Sequence, residues 1–570
     1  METTQLRGDT QRTKISWAIF ILGLLVGLFG LGIRLWALGR HSINADQAVV
    51  GLMAEQILHG HFSAFYWGQS YGGGEPYFVA LIFAVFGQST YSLGMAPVLL
   101  DLVAALLLWR IGNKLFGPQI GIAAALLFWI WPEVYIWQST IEYGFRWFVL
   151  DVGLGALLLT LRVIGGATHR RTEIGAIGLL LGAGWWGSPE IMYFVLPIAA
   201  YLIYAIVRFS FRLRLVEVVV GVLGAFIGAG AWIESNVRTH FASLHSGVQP
   251  DPSFLYHLKI FVQHGLPLLL GLQLRMTGQW LIGPILGYLA TGLAIAIGLA
   301  VLVILARRGE AILLVCFCLF APFIYALSPF TWYWSDGRYG VFLAPATSLV
   351  VVVGMREIVR LNLPGTVGRL AATIRARGDL WNGAFAVAVG LGLSLAAMSM
   401  IAPYKPNGVV TTGSKSWTSW VSDPSSGFAT IAAELHHDGI TDVYAGYWVA
   451  YPLMFASKGT LISSDISYVR NPTFLSQVEH DAAPAWLFLN PSDYRLGVAL
   501  TGVSLMDPSC AAGTDRCLTP RELKVYLTRH KIGYRTYAAN PFVAIIPDKP
   551  VSPVALTRTY HLRAAYPLSG

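Results

Sequence analysis

The stretch from Ile15 to Leu38 is apolar and long enough to cross a bilayer, and it delivers the chain to Asn44-Ala45-Asp46-Gln47. Tyr66-Trp67-Gly68-Gln69 follows, and then Tyr71-Gly72-Gly73-Gly74-Glu75-Pro76. An acid placed just outside a hydrophobic helix, ahead of an aromatic and Gly-rich run, points to chemistry at a membrane surface. No convincing small-residue cleavage site follows Leu38, so the first segment reads as a retained anchor rather than a cleaved signal peptide.

Working outward, the composition agrees. The chain has 570 residues, 55% of them hydrophobic and only 12% charged, with a mean hydropathy of +0.59. That excludes an ordinary soluble protein. A helix that crosses the hydrocarbon layer needs ~20 apolar residues, and about eleven segments qualify when one broken pair is counted as two. They lie near 16–38, 91–111, 118–136, 146–164, 172–187, 189–208, 215–234, 280–305, 311–329, 340–356 and 381–401. The expected fold is a polytopic α-helical membrane protein of about eleven spans.

Basic residues close to span ends are retained on the cytoplasmic side. Arg7, Arg12 and Lys14 therefore place the N-terminus in the cytoplasm. Arg110/Lys114, Arg162/Arg170/Arg171, Arg208/Arg212/Arg214, Arg307/Arg308 and the five arginines from Arg356 to Arg377 fall on the same side. The net charge of +9 thus belongs to loops that face anionic lipid, and nucleic acid is not needed to explain it.

By the same count the Asp46 loop, turns around Glu142, Ser188 and Asp336, the stretch 235–279 and everything after Ile401 emerge outside. Cys510 and Cys517 lie there and can close a disulfide loop, whereas Cys316 and Cys318 sit within a span as small apolar residues. From about 402 to 570 Pro, Ser and Asp return and apolar runs shrink to strand length. This portion is expected to be a separate extracytoplasmic α/β domain. A helix from Ser422-Asp423-Pro424 to Asp438-Gly439 precedes a strand at Val443–Tyr447. Thr519-Pro520-Arg521-Glu522 has the form of a capping box, and Phe542–Ile546 reads as a buried strand.

Few residues can do chemistry. Asp46 begins a segment, Gln47 to Leu58, whose apolar spacing suits an amphipathic helix on the membrane face, and a plain N-cap role is the competing reading. Glu142, in Ile141-Glu142-Tyr143-Gly144-Phe145-Arg146, reaches the same side. Pairing with Arg146 on the surface is its ordinary explanation. Two carboxylates in one cleft can divide labour, one taking a proton from an acceptor hydroxyl while the other orients it. Asp336-Gly337-Arg338-Tyr339-Gly340, after Thr331-Trp332-Tyr333-Trp334, supplies a guanidinium suited to phosphate, or an arginine that snorkels to headgroups. Glu75, Trp185–Glu190 and His240, His245, His257 and His264 are weaker candidates, and no spacing specifies a metal site.

The run from Asp46 through Tyr66-Trp67-Gly68-Gln69 to Phe86-Gly87, then Leu115-Phe116-Gly117 and Asp336–Tyr339, resembles the GT-C superfamily of integral-membrane glycosyltransferases. The chain is most similar to bacterial relatives of the dolichyl-phosphate-mannose protein mannosyltransferases and of the aminoarabinose transferases. The resemblance implies a GT-C-like catalytic part over 1–401, with 402–570 as the exterior domain. It implies a plasma-membrane enzyme that moves a hexosyl or pentosyl group from a polyprenyl-phosphate donor to a lipid, glycan or protein acceptor at the outer face. Asp46 matches the catalytic acid of the first external loop and Glu142 the acid of the second. Arg338 and Tyr339 match the Arg-Tyr pair, with Arg338 as phosphate partner. Several relatives have Lys-Pro after the Gly-rich run where this chain has Glu75-Pro76, so Arg338 or Arg146 has to compensate, or Glu75 marks another acceptor. Tyr66 and Gln69 belong to a segment that helps to close the pocket.

A sugar phosphate carries its own leaving group, so attack opposite the phosphate inverts the anomeric centre with Asp46 as base, and these residues demand no metal or other cofactor. A transporter or lipid flippase is the alternative. It predicts charges near the midplane and related halves, neither of which is evident. A catalytically silent receptor or assembly subunit is the third reading.

Overall fold

Apolar runs of this length must satisfy their backbone polar groups within the segment when surrounded by lipid, so they form helices. The computed structural model describes residues 21, 23–38, 43–209, 211–245, 253–275, 278–309, 311–328, 331, 334, 337–360, 379–401, 424–466, 469–489, 518–539 and 542–562. Among these, five helices are long and apolar enough to cross a membrane: Thr90–Phe116, Arg146–Ile164, Pro189–Phe209, Pro284–Arg308 and Arg338–Arg360. A sixth is added if Leu215–Gly228 and Gly230–Arg238, bent by 60°, form one span. The chain is a multi-pass membrane protein. Among the described residues the expected number of about eleven spans is not confirmed. Gly23–Leu38, Pro118–Ile130, Ile312–Leu327 and Gly383–Ser399 are apolar helices of 10–17 residues. Arg170–Gly187 has 18 residues, with Arg170, Arg171 and Glu173 in its opening turns.

Packing divides the chain into two compact units, one of residues 1–39, 97–141 and 146–400, the other of 40–96, 142–145 and 401–570. In the first, Arg170–Gly187 lies against Leu215–Gly228 through small residues, the usual means of close helix approach in lipid. A Cβ added to Gly178 would stand 1.9 Å from Gly221 O, and one on Gly182 2.1 Å from Ala225 O. Gly224 and Gly228 meet Gly175 O and Leu179 O at 2.2 and 2.1 Å in the same way. Another tie is polar. Arg34 of Gly23–Leu38 is 1% exposed. It pairs with Asp101 of Thr90–Phe116 at 2.5 Å and donates to Ser139 Oγ at 2.8 Å and Trp129 O at 2.8 Å. Its guanidinium lies 3.7 Å from the Trp129 ring centroid. Cys316 and Cys318 are free thiols on Ile312–Leu327, as their apolar setting led one to expect.

The second unit holds a five-stranded sheet of order β2-β1-β3-β5-β4. Its strands are β1 (Asp442–Ala445), β2 (Ile462–Ser464), β3 (Ala485–Leu489), β4 (Tyr534–Ala539) and β5 (Phe542–Pro547). β1 is parallel to both β2 and β3, while β5 is antiparallel to β3 and β4. The helices here are α1 (Ala45–Leu58), α2 (Gly74–Phe86), α3 (Pro424–His437), α4 (Tyr447–Ala456), α5 (Pro472–His480), α6 (Pro520–Arg529) and α7 (Pro553–Tyr560). The α6 capping box forms as its sequence predicts, with Thr519 Oγ1 accepting from Glu522 N and Glu522 Oε2 from Thr519 N. The strand expected to reach Tyr447 ends at Ala445 instead. The Tyr447 N–H donates to Asp465 Oδ2 at 3.1 Å rather than to a neighbouring strand, and Tyr447 opens α4.

The apolar face of α1, expected to lie on the membrane, is buried in protein. Ala45, Val49, Val50 and Met53 share a core with Leu453, Phe455, Phe428 and Val443. Gly51 permits that contact, since a Cβ there would stand 2.3 Å from Phe455 Cε2. Cys510 and Cys517 lie outside the described residues, as does Asp336.

Candidate functional site

Asp46 is not the helix cap. Asn44 takes that role, its Oδ1 accepting from Gln47 N at 2.9 Å while Gln47 Oε1 accepts from Asn44 N at 3.0 Å. Asp46 therefore sits in the first turn of α1, where the helix dipole favours an anion and its side chain is available for other contacts. The phenol of Tyr447 donates to Asp46 Oδ1 at 2.5 Å. Arg470 Nε and Nη2 donate to the same phenol oxygen at 3.2 and 3.1 Å, and Nη2 stands 3.5 Å from Asp46 Oδ1. Tyr66 completes the group, donating to the backbone oxygen of Asp46 at 3.0 Å.

Each partner is held from its own element. Tyr447 lies just past the end of β1. Arg470 follows β2 and donates its backbone N–H to Tyr451 Oη at 2.7 Å. Its guanidinium lies 5.1 Å from the Tyr66 ring centroid and 5.3 Å from that of Tyr447. Gly68, at φ +69°, brings the Tyr66–Gln69 turn against the arginine, and a Cβ there would stand 3.1 Å from Arg470 Cδ. Gln69 enters this turn through its backbone, donating N–H to Tyr66 O at 2.9 Å. Burial first, and then the charge of Asp46, hold the Tyr447 phenol well above its usual pKa, so it stays protonated and able to donate.

Glu142 and Glu75 form the second feature of this unit. Both are essentially inaccessible to solvent, Glu75 in the first turn of α2 and Glu142 in the short connection before Arg146–Ile164. Gly144 N–H donates to Glu142 Oε1 at 2.6 Å. Burial, followed by the charge of Glu75 and a hydrogen bond with it, raises Glu142 well above the ordinary carboxylate range. Two carboxyl groups in hydrogen-bond contact share a proton. Glu142 is thus not a surface residue: it is buried, with Glu75 and Gly144 beside it. The loop also abuts the Asp46 group, since a Cβ on Gly144, at φ +91°, would stand 2.9 Å from Tyr66 Cδ2.

The first unit carries the other expected residues. Arg146 lies 3.5 Å from Glu190 and 4.9 Å from the ring centroid of Tyr339. Glu190 also feels the charge of Arg338. Arg146, Arg338, Tyr339 and the weaker candidate Glu190 are thus neighbours. Gly337, at φ +77°, turns the chain into the Arg338–Leu343 helical turn, and a Cβ there would stand 2.3 Å from Val134 Cγ2. A further acid and cation, Glu133 and Arg275, interact beside Trp137, whose ring centroid lies 4.8 Å from the Arg275 guanidinium. Of the candidate histidines, His257 bonds Thr331 at 2.6 Å and His264 stacks on Trp334 at 3.8 Å.

Sequence reasoning missed Tyr447, Arg470 and Glu133. No local motif marks them. The one available signal was placement, because residues just past the carboxyl ends of parallel strands are where such sheets hold ligands.

Comparison with known proteins gives a consistent relationship. The family model for dolichyl-phosphate-mannose-protein mannosyltransferase matches residues 74–232. The fold is similar to that of ArnT from Cupriavidus metallidurans, in crystal structures bound to undecaprenyl phosphate and in the apo state. Each of the two has 13% identity and a TM-score of 0.57, over 93% of this chain and 98% of that one. The apo oligosaccharyltransferase of Archaeoglobus fulgidus has a TM-score of 0.46 at 13% identity, over 86% of this chain and 72% of that one. No curated protein matches in sequence. The resemblance read from the motifs is thus accompanied by a family-model match over 74–232 and by a fold similar to that of an ArnT.

Proposed function

We propose that the protein is a membrane glycosyltransferase that moves a sugar from a polyprenyl-phosphate donor to an acceptor hydroxyl at the extracytoplasmic face, with inversion. The observation that carries this reading is the Asp46 carboxylate held between the Tyr447 phenol and the Arg470 guanidinium. The mannosyltransferase family match over 74–232 supports it, as does the fold shared with an ArnT crystallised with undecaprenyl phosphate.

In the reaction the acceptor oxygen attacks the anomeric carbon opposite the phosphate. The new C–O bond forms as the sugar–phosphate bond breaks, the acceptor proton passes to Asp46, and polyprenyl phosphate departs with the bonding electrons. Arg338 and Arg146 are assigned to the departing phosphate, whose charge a guanidinium meets with paired N–H donors. Tyr339, under Arg146, keeps that cation in place. The Glu75–Glu142 pair is assigned to the acceptor, one carboxyl accepting and the protonated one donating. Tyr66, Gln69 and their turn close the pocket. Residues 1–401 are assigned as the transmembrane catalytic part and 402–570 as the extracytoplasmic domain, with the N-terminus in the cytoplasm of a plasma-membrane protein.

The test is Asp46→Asn in correctly inserted full-length protein, given radiolabelled polyprenyl-phosphate sugars and cell-envelope extract. Transfer is expected to fall by roughly 100-fold or more, as for loss of a catalytic base. Retained transfer overturns the assignment. Failure of the wild-type protein to transfer label from any such donor overturns the enzyme reading itself.

A further inference from the structure

Within the second unit, the chain leaves β1, returns as β2 on one side of it, and later returns as β3 on the other. Adjacent to β1 the strand order therefore reverses. The carboxyl edge of parallel strands at such a reversal is where open α/β sheets hold their ligands, because loops diverge there and helix N-termini face the gap. Tyr447 follows β1 and opens α4, Asp465 follows β2, and Arg470 lies a few residues beyond. The group occupying that edge is the carboxylate of Asp46, carried in on α1.

The donors and acceptors are matched. A phenol oxygen has one proton and two lone pairs. Arg470 Nε and Nη2, at 3.2 and 3.1 Å, fill the two acceptor positions of Tyr447 Oη. The phenolic proton is left to point at Asp46 Oδ1. Arg470 is anchored in turn by its own N–H on Tyr451, and Tyr447 by its N–H on Asp465. The Arg470 guanidinium, 8% exposed, donates through Nε and Nη2 to the Tyr447 phenol and through Nη1 to Trp67 O at 3.5 Å, which places it to orient that phenol.

From this we propose that the C-terminal domain is a working part of the transferase site: Tyr447 positions the Asp46 carboxylate, and Arg470 positions Tyr447. The inference rests on Asp46 being the base. It adds that the exterior domain supplies groups that aim it, in contrast to a domain that only binds a partner. Both are positioning residues, acting on substrate through Asp46.

The experiment uses full-length protein in membranes, with transfer measured at saturating donor and the half-saturating donor concentration read separately. Tyr447→Phe removes one oxygen and keeps the ring. It is expected to lower the saturated rate on the order of 100-fold, the scale of a small misplacement of a catalytic group, with half-saturation changed less than about 2-fold. Arg470→Ala is expected to lose a similar factor and to regain part of it when guanidinium ion is added. Tyr447→Phe is expected to show no such recovery. A role in folding alone predicts loss of inserted protein without guanidinium rescue, and that result overturns the proposal, as does wild-type turnover in Tyr447→Phe. If Asp46→Asn is inactive while both variants turn over normally, this inference fails and the function stands. If Asp46→Asn is active, the function fails first.

Discussion

Asp46 and Glu142 are both acids of the second unit, yet their surroundings give them different chemistry. Asp46 accepts a hydrogen bond from a phenol and lies 3.5 Å from a guanidinium nitrogen. Glu142 meets another carboxyl in a dry setting, which favours the acid. Glu142 keeps its proton in the folded protein to a pH at which the unfolded chain has lost its own, so the folded state binds more protons across that window. Its favourable contribution is full below the ordinary glutamate value of 4.5 and is lost as pH rises through the elevated folded value. Glu142→Gln, neutral at every pH, is expected to flatten this dependence, measured as thermal unfolding in detergent from acid to neutral pH. An unchanged slope would show that Glu142 ionises normally. The existence of both acids was legible in the sequence, but their environments were not. Tyr447 is 401 residues from Asp46, and nothing local announces a contact over that separation.

Elements were more legible, because their signals are local. The capping box at Thr519 and the strand at Phe542 form where the residues place them. At Asp46 the plain N-cap reading is excluded by the reciprocal Asn44/Gln47 bonds, which give that role to Asn44. The facing of α1 could not be read at all, since an apolar stripe fits lipid and protein equally well. Helix pairing in the first unit does carry a sequence trace, the glycines of Arg170–Gly187 and Leu215–Gly228. Gly178→Leu would drive a side chain into the Gly221 carbonyl. It is expected to destabilise by roughly 1–3 kcal/mol or more, as overpacking does, seen as a lowered melting temperature or loss of inserted protein. Gly27→Leu, where nothing stands within 4 Å, is the control and is expected to match wild type.

At the scale of the molecule, Arg34 buries a charge that a composition-based span count treats as a blemish. The structure gives it Asp101, Ser139 and Trp129 as partners. Arg34→Met leaves Asp101 buried without its cation and is expected to cost about 3–5 kcal/mol. Arg34→Met with Asp101→Leu is expected to recover much of that loss, measured by thermal unfolding. Equal loss in both variants would refute a charge-pairing role. Apolar content and its periodicity, by themselves, determined that this chain inserts in a membrane as helices and ends in an α/β domain, because burial of apolar surface and helical hydrogen bonding are local, additive requirements. Which acid meets which cation was decided only by the tertiary structure. Sheet order and helix packing bring Tyr447 and Arg470 to Asp46 across hundreds of residues, and no short-range interaction encodes that meeting.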